Sequence, residues 1–220
     1  MHKKSLQLLK TKAQYGDTME RITQNHVKGL LFFLQNPLTD VYPQLLATEL
    51  GISRVGALKL LRSLADDKFI RVKKVGSANT YRLHPKKEHV RALLAYAIQE
   101  QIRMSPNRVK MWVNRITEIK SASCAILFGS IIHKEKPNDI DVVFVAQQKK
   151  FAKLREEIHK INVISKVKIH HIFQTKEDLI SNIRKKDPAI LKALQGVIVQ
   201  GAEEYFDVLL EVLGEQRELH

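Results

Sequence analysis

From His26 to Asn36 (HVKGLLFFLQN) the apolar residues recur at helical spacing, and Asn36-Pro37 marks a stop. Pro43 to Leu50 predicts a second helix, opened by proline and closed by Gly51. Ser53 is a suitable N-cap for a third, running from Arg54 to about Lys68. On that helix Ala57, Leu58, Leu60, Leu61, Leu64 and Ala65 gather on one side, and Gly56, Lys59, Arg62 and Ser63 lie opposite. The period then changes to two: FIRVKKV and TYRLH alternate about a GSAN turn, which predicts a β-hairpin.

His84-Pro85-Lys86-Lys87 breaks this pattern and marks a boundary. Two helices are expected beyond it, about Glu88 to Arg103 and Asn107 to Ile119, separated by Ser105-Pro106. Trp112 stands at helical spacing from Ile116 and Ile119, which reads as core rather than as a stacking platform. Three apolar runs, CAILF, DIDVVFVA and SKVKIHHIFQT, read as strands. Asp187-Pro188 opens a further helix, and GVIVQGAEEYFDVLLEVL reads as a short strand or turn followed by an acidic helix. The pattern therefore describes an α+β chain in three parts: residues 1–85, a helical connector over 86–120, and residues 121–220.

Charge is more informative here than composition. The net charge of +14 is uneven: residues 1–85 carry 14 Lys/Arg against 6 Asp/Glu, whereas residues 176–220 carry 6 against 9. A basic first half is what a polyanionic partner selects, although a merely soluble basic surface has the same composition. No apolar run approaches the roughly 20 residues of a membrane span, and the basic start MHKKSLQLLKTKAQYGD lacks a signal-peptide apolar core. A soluble cytoplasmic protein without a membrane partner is expected. The single Cys124 has no internal disulfide partner, in keeping with a reducing compartment. As a thiol it is a candidate nucleophile, but its apolar neighbours favour a small buried hydrophobe.

The candidate chemistry lies in LFGSIIHKEKPNDIDVVFV, residues 127–145. Gly129 lets a phosphate approach the backbone, Ser130 adds a hydroxyl donor, and a helix starting there would aim its free N–H groups at the same anion. Residues i and i+2 of a strand share a face, so Asp139 and Asp141 present two carboxylates about 6.5–7 Å apart. Unpaired carboxylates in an apolar strand are costly. A hard cation such as Mg²⁺, bridging to substrate phosphates, resolves that cost.

Two stretches resemble known families. LLATELGISRVGALKLLRSL with the basic hairpin is similar to the winged helix-turn-helix, with Ala47 and Gly51 where helix packing wants small residues. That resemblance implies duplex DNA as partner. The Gly56–Lys59–Arg62–Ser63 face would lie in the major groove, with Lys73 and Lys74 on phosphates. A module that packs or forms a homodimer is the alternative. Gly-Ser, eight residues, then Asp-Ile-Asp between two apolar strands resembles the nucleotidyltransferase superfamily, in its minimal branch, whose fold is like the catalytic part of DNA polymerase beta.

The second resemblance spans about residues 120–205 and implies a small mixed sheet flanked by helices. It also implies a nucleoside triphosphate, ATP being expected, held at Gly129 and Ser130, and Mg²⁺ or Mn²⁺ held by Asp139 and Asp141. The implied activity moves a nucleoside monophosphate to a nucleic-acid end or to a protein hydroxyl, as in antitoxins that modify a toxin. The family's usual third carboxylate is missing, since SKVKIHHIFQT has no acid. His171, in apolar company, is expected to pack inward, which leaves His170 nearest that position as a catalytic candidate or a plain polar strand residue. Glu177 and Asp178 read as helix-start residues, and Lys134 and Lys136 as either triphosphate contacts or a solvated loop. The rival reading is a DNA-binding regulator whose second part senses nucleotide or is inactive.

Overall fold

The computed structural model describes residues 22–84 and 88–214. The basic N-terminal stretch and the Pro85–Lys87 portion of the expected boundary lie outside the described residues. The chain is mixed α and β and divides into two compact units. One comprises the described residues up to Leu34 together with Leu38–Ala97; the other comprises Gln35–Pro37 together with the described residues from Ile98 onward. The passage from one unit to the other falls inside a helix, Glu88–Met104.

In the first unit, helices α1 (Gln24–Gln35), α2 (Pro43–Leu50) and α3 (Arg54–Asp66) precede a hairpin of β1 (Ile70–Val75) and β2 (Ala78–Leu83). Gly51 ends α2 at φ 64°, a left-handed conformation that glycine adopts without the clash of a Cβ. The Ser53 side chain accepts the Gly56 N–H at 3.0 Å and so starts α3. Leu30, Phe33, Leu46, Leu61, Leu64 and Phe69 form its interior. Strand β2 is pinned by a bridge from Val41 to Tyr81 and by a two-point pair of Arg82 with Asp40, whose Nη2–Oδ2 separation is 2.9 Å. The turn is tighter than expected: Ala78 and Asn79 already belong to β2, and only Gly76-Ser77 links the strands. A two-residue link with glycine at φ 60° matches the twist of a hairpin.

The second unit contains the end of α4 (Glu88–Met104), then α5 (Asn107–Ile116), and a four-stranded mixed sheet in the order β5-β4-β3-β6. The strands are β3 (Cys124–Phe128), β4 (Asp139–Val145), β5 (Lys168–Gln174) and β6 (Val197–Gln200). Strand β3 runs antiparallel to both β4 and β6, and β4 runs parallel to β5. A parallel pair needs a crossover, and α6 (Phe151–Ile164) supplies it, a helix that the sequence reading above does not single out.

On one face of the sheet, Leu127, Ile140, Val142, Phe144 and Ile169 join a core with Trp112 and Ile116 of α5 and Leu154 and Ile158 of α6. Helices α7 (Lys176–Arg184), α8 (Pro188–Leu194) and α9 (Ala202–Gly214) follow β5 and flank β6 in the chain, with buried Leu179, Ile183, Ile190, Phe206 and Leu209. The capping box of Thr175 with Asp178 starts α7, and Asp187 caps α8 by accepting the Ile190 N–H. Cys124 is fully buried, and burial first, then the Glu204 charge, pushes its thiol up to about 12. It has the character of a core residue.

Candidate functional site

The site grows out of the end of β3. Phe128 pairs with Asp141 across the ladder, and the chain then turns at Gly129 with φ 79° into a short 3-10 helix, Gly129–Ile132. A Cβ at Gly129 would come within 2.1 Å of Asp141 Oδ2. Glycine is therefore required twice, by the left-handed backbone and by the carboxylate lying against it. Arg108 of α5 donates to the carbonyls of Ile131 and Ile132 at 3.1 and 3.3 Å and fixes the far end of this turn.

Asp139 and Asp141 occupy the start of β4, on the same face. In the parallel register His170 of β5 stands beside Asp141, and Lys168 beside Asp139. His170 Nδ1 lies 3.3 Å from Asp139 Oδ2. One ligand atom from each of Asp139, Asp141 and His170 falls within 4.8 Å of the others. The side chains of Asp139 and Asp141 are half-buried, and that of His170 is 67% exposed.

The Asp141 carboxyl is held above the usual carboxylate range, first by burial and then by the charge of Asp139. His170 and Lys192 pull in the opposite direction. Lys192, exposed on α8, thus belongs to the electrostatics of the site although sequence reasoning passed over it. Its only signal was a basic residue on the helix that Asp187-Pro188 announces. Arg108 was missed for a similar reason, because a side chain that ties down a turn through its carbonyls has no spacing relationship to that turn.

The donor set fits the group that the sequence pattern implies. The Ser130 Oγ is buried and, among the described residues, has no hydrogen-bond partner. A native structure rarely tolerates such an atom without a ligand, ion or water to satisfy it. With two carboxylates and an imidazole brought together against Gly129, and the unsatisfied hydroxyl on the next residue in the chain, the arrangement suits a divalent ion with phosphate oxygens.

His171 departs from expectation. It is exposed, not packed inward, and stacks on Phe173 with ring centroids 4.4 Å apart. Strand β5 is at the sheet's edge, so apolar parity along it does not guarantee cover. Its pKa is lowered, first by partial burial against the ring and then by the charges of Arg155 and His170. Lys134 and Lys136 are exposed on the loop before β4.

In the first unit Lys59 and Arg62 are exposed on α3, as are Lys73 and Lys74 on β1. Ser63 is half-buried, and its hydroxyl lies 3.2 Å from His26 Nε2, which ties it to α1. Gly56 is half-buried too, with its N–H engaged by Ser53. Among the described residues no helix is long and apolar enough to cross a membrane. Comparisons with family models, with curated proteins and with solved structures find no match.

Proposed function

We propose that the second unit is a metal-dependent nucleotidyltransferase and that the first is a winged helix-turn-helix that binds duplex DNA. One observation carries the enzymatic reading: Asp139, Asp141 and His170 bring ligand atoms within 4.8 Å of one another, with Asp141 lying against Gly129. In the reaction an acceptor oxygen bonds to the α-phosphorus of a nucleoside triphosphate. The bond from that phosphorus to the bridging oxygen breaks, and pyrophosphate leaves with the electron pair while the acceptor's proton passes to base. A divalent ion at the carboxylates would neutralise the triphosphate and stabilise charge that develops in the transfer.

The chain's own residues have separate tasks. Gly129 leaves room for a phosphate beside the backbone, Ser130 donates its hydroxyl to a phosphate oxygen, and Asp139 and Asp141 hold the ion. Lys192 adds positive charge that acts on Asp141. His170 stands where the resemblance expects a third carboxylate. The acceptor is a hydroxyl of a protein or of a nucleic-acid end, and ATP is the expected donor.

For the first unit, four exposed cations on one helix and one hairpin, Lys59, Arg62, Lys73 and Lys74, support a phosphate-facing surface. A second reading is favoured by the same His170. With an imidazole in place of a carboxylate, the unit would hold nucleotide without transferring it, and the protein would be a nucleotide-sensing regulator.

Incubation with each labelled nucleoside triphosphate and Mg²⁺ or Mn²⁺ separates the two. Release of pyrophosphate with label on a macromolecule, lost in Asp139→Asn/Asp141→Asn, is the expected result. Nucleotide binding with no transfer under any ion leaves the regulator.

A further inference from the structure

We propose that the Asp139–Asp141–His170 cluster is selective for a transition-series divalent ion, with Mn²⁺ favoured over Mg²⁺, and that His170 is the residue that sets this preference. The inference rests on the reading of this cluster as the transferase's ion site and adds the identity of the ion.

Three carboxylates around a divalent ion carry three negative charges; Asp139 and Asp141 carry two, and a neutral imidazole carries none. Binding of Mg²⁺ is almost wholly electrostatic. Mg²⁺ demands oxygen ligands in near-ideal octahedral geometry and gives up its waters reluctantly. Exchanging one anionic oxygen for an uncharged nitrogen therefore removes attraction and supplies nothing that Mg²⁺ values.

Lys192, acting on Asp141, reduces the negative potential further. A transition-series ion recovers the loss through the imidazole, a ligand suited to such ions. Its affinity for a mixed nitrogen and oxygen site rises along the series from Mn²⁺ through Co²⁺ and Ni²⁺. Mn²⁺ still accepts carboxylate and phosphate oxygens, so the two aspartates and the substrate remain compatible with it.

The geometry agrees. His170 presents Nδ1 toward the pair, 3.3 Å from Asp139 Oδ2, from a neighbouring strand in fixed register with Asp141. Ligand bonds of about 2.1–2.2 Å place neighbouring donors about 3 Å apart in an octahedral shell. The Asp139–His170 pair is already near that separation. The third atom needs only a side-chain adjustment within the 4.8 Å cluster. Gly129 lies against the Asp141 carboxylate without a side chain, which leaves room there for phosphate oxygens or water to complete the shell.

The test uses the full chain without nucleotide. The free-ion Mn²⁺ electron paramagnetic resonance signal is titrated with protein, Mg²⁺ and Co²⁺ are added as competitors, and calorimetry checks stoichiometry. Mn²⁺ should bind about 10-fold or more tighter than Mg²⁺, and Co²⁺ tighter still.

His170→Gln should weaken Mn²⁺ until its advantage over Mg²⁺ is lost, while changing Mg²⁺ little. His170→Asp should tighten Mg²⁺ and shrink the ratio toward one. Residue 170 is exposed on an edge strand, so thermal midpoints close to that of the parent should accompany both changes. A parent that binds neither ion, binds both alike, or keeps its ratio in His170→Gln overturns the proposal. These outcomes are separable from the fate of the transferase reading. Selective Mn²⁺ binding without transfer refutes the transferase and leaves the ion site, whereas transfer with an unchanged ion ratio in His170→Gln does the reverse.

Discussion

Gly129→Ala tests the site through its backbone. At φ 79° an alanine Cβ meets the preceding and following carbonyls, at about 1–2 kcal/mol for a left-handed L-residue. The same added methyl lies 2.1 Å from Asp141 Oδ2, where ordinary contact begins at 3.4 Å, so the oxygen must retreat by at least 1.3 Å. A carboxylate can swing aside cheaply in terms of stability. As a ligand it cannot, because ion–ligand distances hold to about 0.2 Å. The variant should thus lose about 1–2 kcal/mol of stability and about 10-fold or more in Mn²⁺ affinity.

Gly76→Ala is the matched control. It also sits at positive φ, 60°, but nothing lies within 4 Å of its added Cβ. It should lose comparable stability in the first unit and no ion affinity. Chemical denaturation gives the first quantity and Mn²⁺ titration the second. If Gly129→Ala binds Mn²⁺ like the parent, Asp141 is not held as a ligand against that backbone. Equal loss of affinity in both variants would mean that destabilisation alone is responsible.

Three further outcomes follow from other parts of the molecule. Lys73→Ala/Lys74→Ala should flatten the log–log salt dependence of duplex-DNA binding by about 0.9 for each lost phosphate contact; an unchanged slope measured by fluorescence anisotropy removes the hairpin from the interface. Asn162→Ala should lower the thermal midpoint. Its amide accepts the Ile169 N–H at 2.7 Å and donates to the Ile169 carbonyl at 3.3 Å along the β5 edge, and leaving these part-buried groups unpaired costs about 1–3 kcal/mol. For Cys124, the unfolded thiol ionises near 9.0 while the folded one keeps its proton to about 12. The unfolded state thus binds fewer protons in that window, and stability should fall by about 1.4 kcal/mol per pH unit above 9. Cys124→Ala should lack this slope in alkaline denaturation series, and an equal slope in both proteins contradicts the buried thiol.

Much of this was legible because the signals were local. Ser53 announces α3 through a bond to the third residue on, and Asp187-Pro188 announces α8 in the same way. The carboxylates of Asp139 and Asp141 break an otherwise apolar strand, which the alternation of a β-strand makes conspicuous. What failed to show depends on partners distant in sequence. His171 alternates like a core residue, yet β5 has a neighbour on one side only, and periodicity does not encode edge position. Ser63 lies on the outward arc of α3 but meets His26, a contact that requires α1 to be placed first. Lys192 and Arg108 reach the site from helices whose own patterns are complete without it. Strand parity was enough to single out His170, but its place beside Asp141 required the β4–β5 register.

That register makes His170 answer for two incompatible roles. A neutral imidazole has one lone pair, on the nitrogen that lacks hydrogen. If Nδ1, which faces Asp139, gives it to an ion, then Nε2 bears the hydrogen and cannot accept the acceptor's proton. If the lone pair instead serves as general base, the ion has only the two aspartates and the substrate. The roles predict opposite responses of His170→Ala. As a ligand, its loss weakens ion binding, and transfer should return when Mn²⁺ is raised in proportion. As a base, its loss slows transfer by about 10²- to 10⁴-fold at every ion concentration, with ion affinity intact. Rescue by Mn²⁺ is the outcome expected here, because Nδ1 is the atom turned toward the carboxylates. A rate deficit that persists under saturating Mn²⁺ would refute the ligand role and make His170 the proton acceptor.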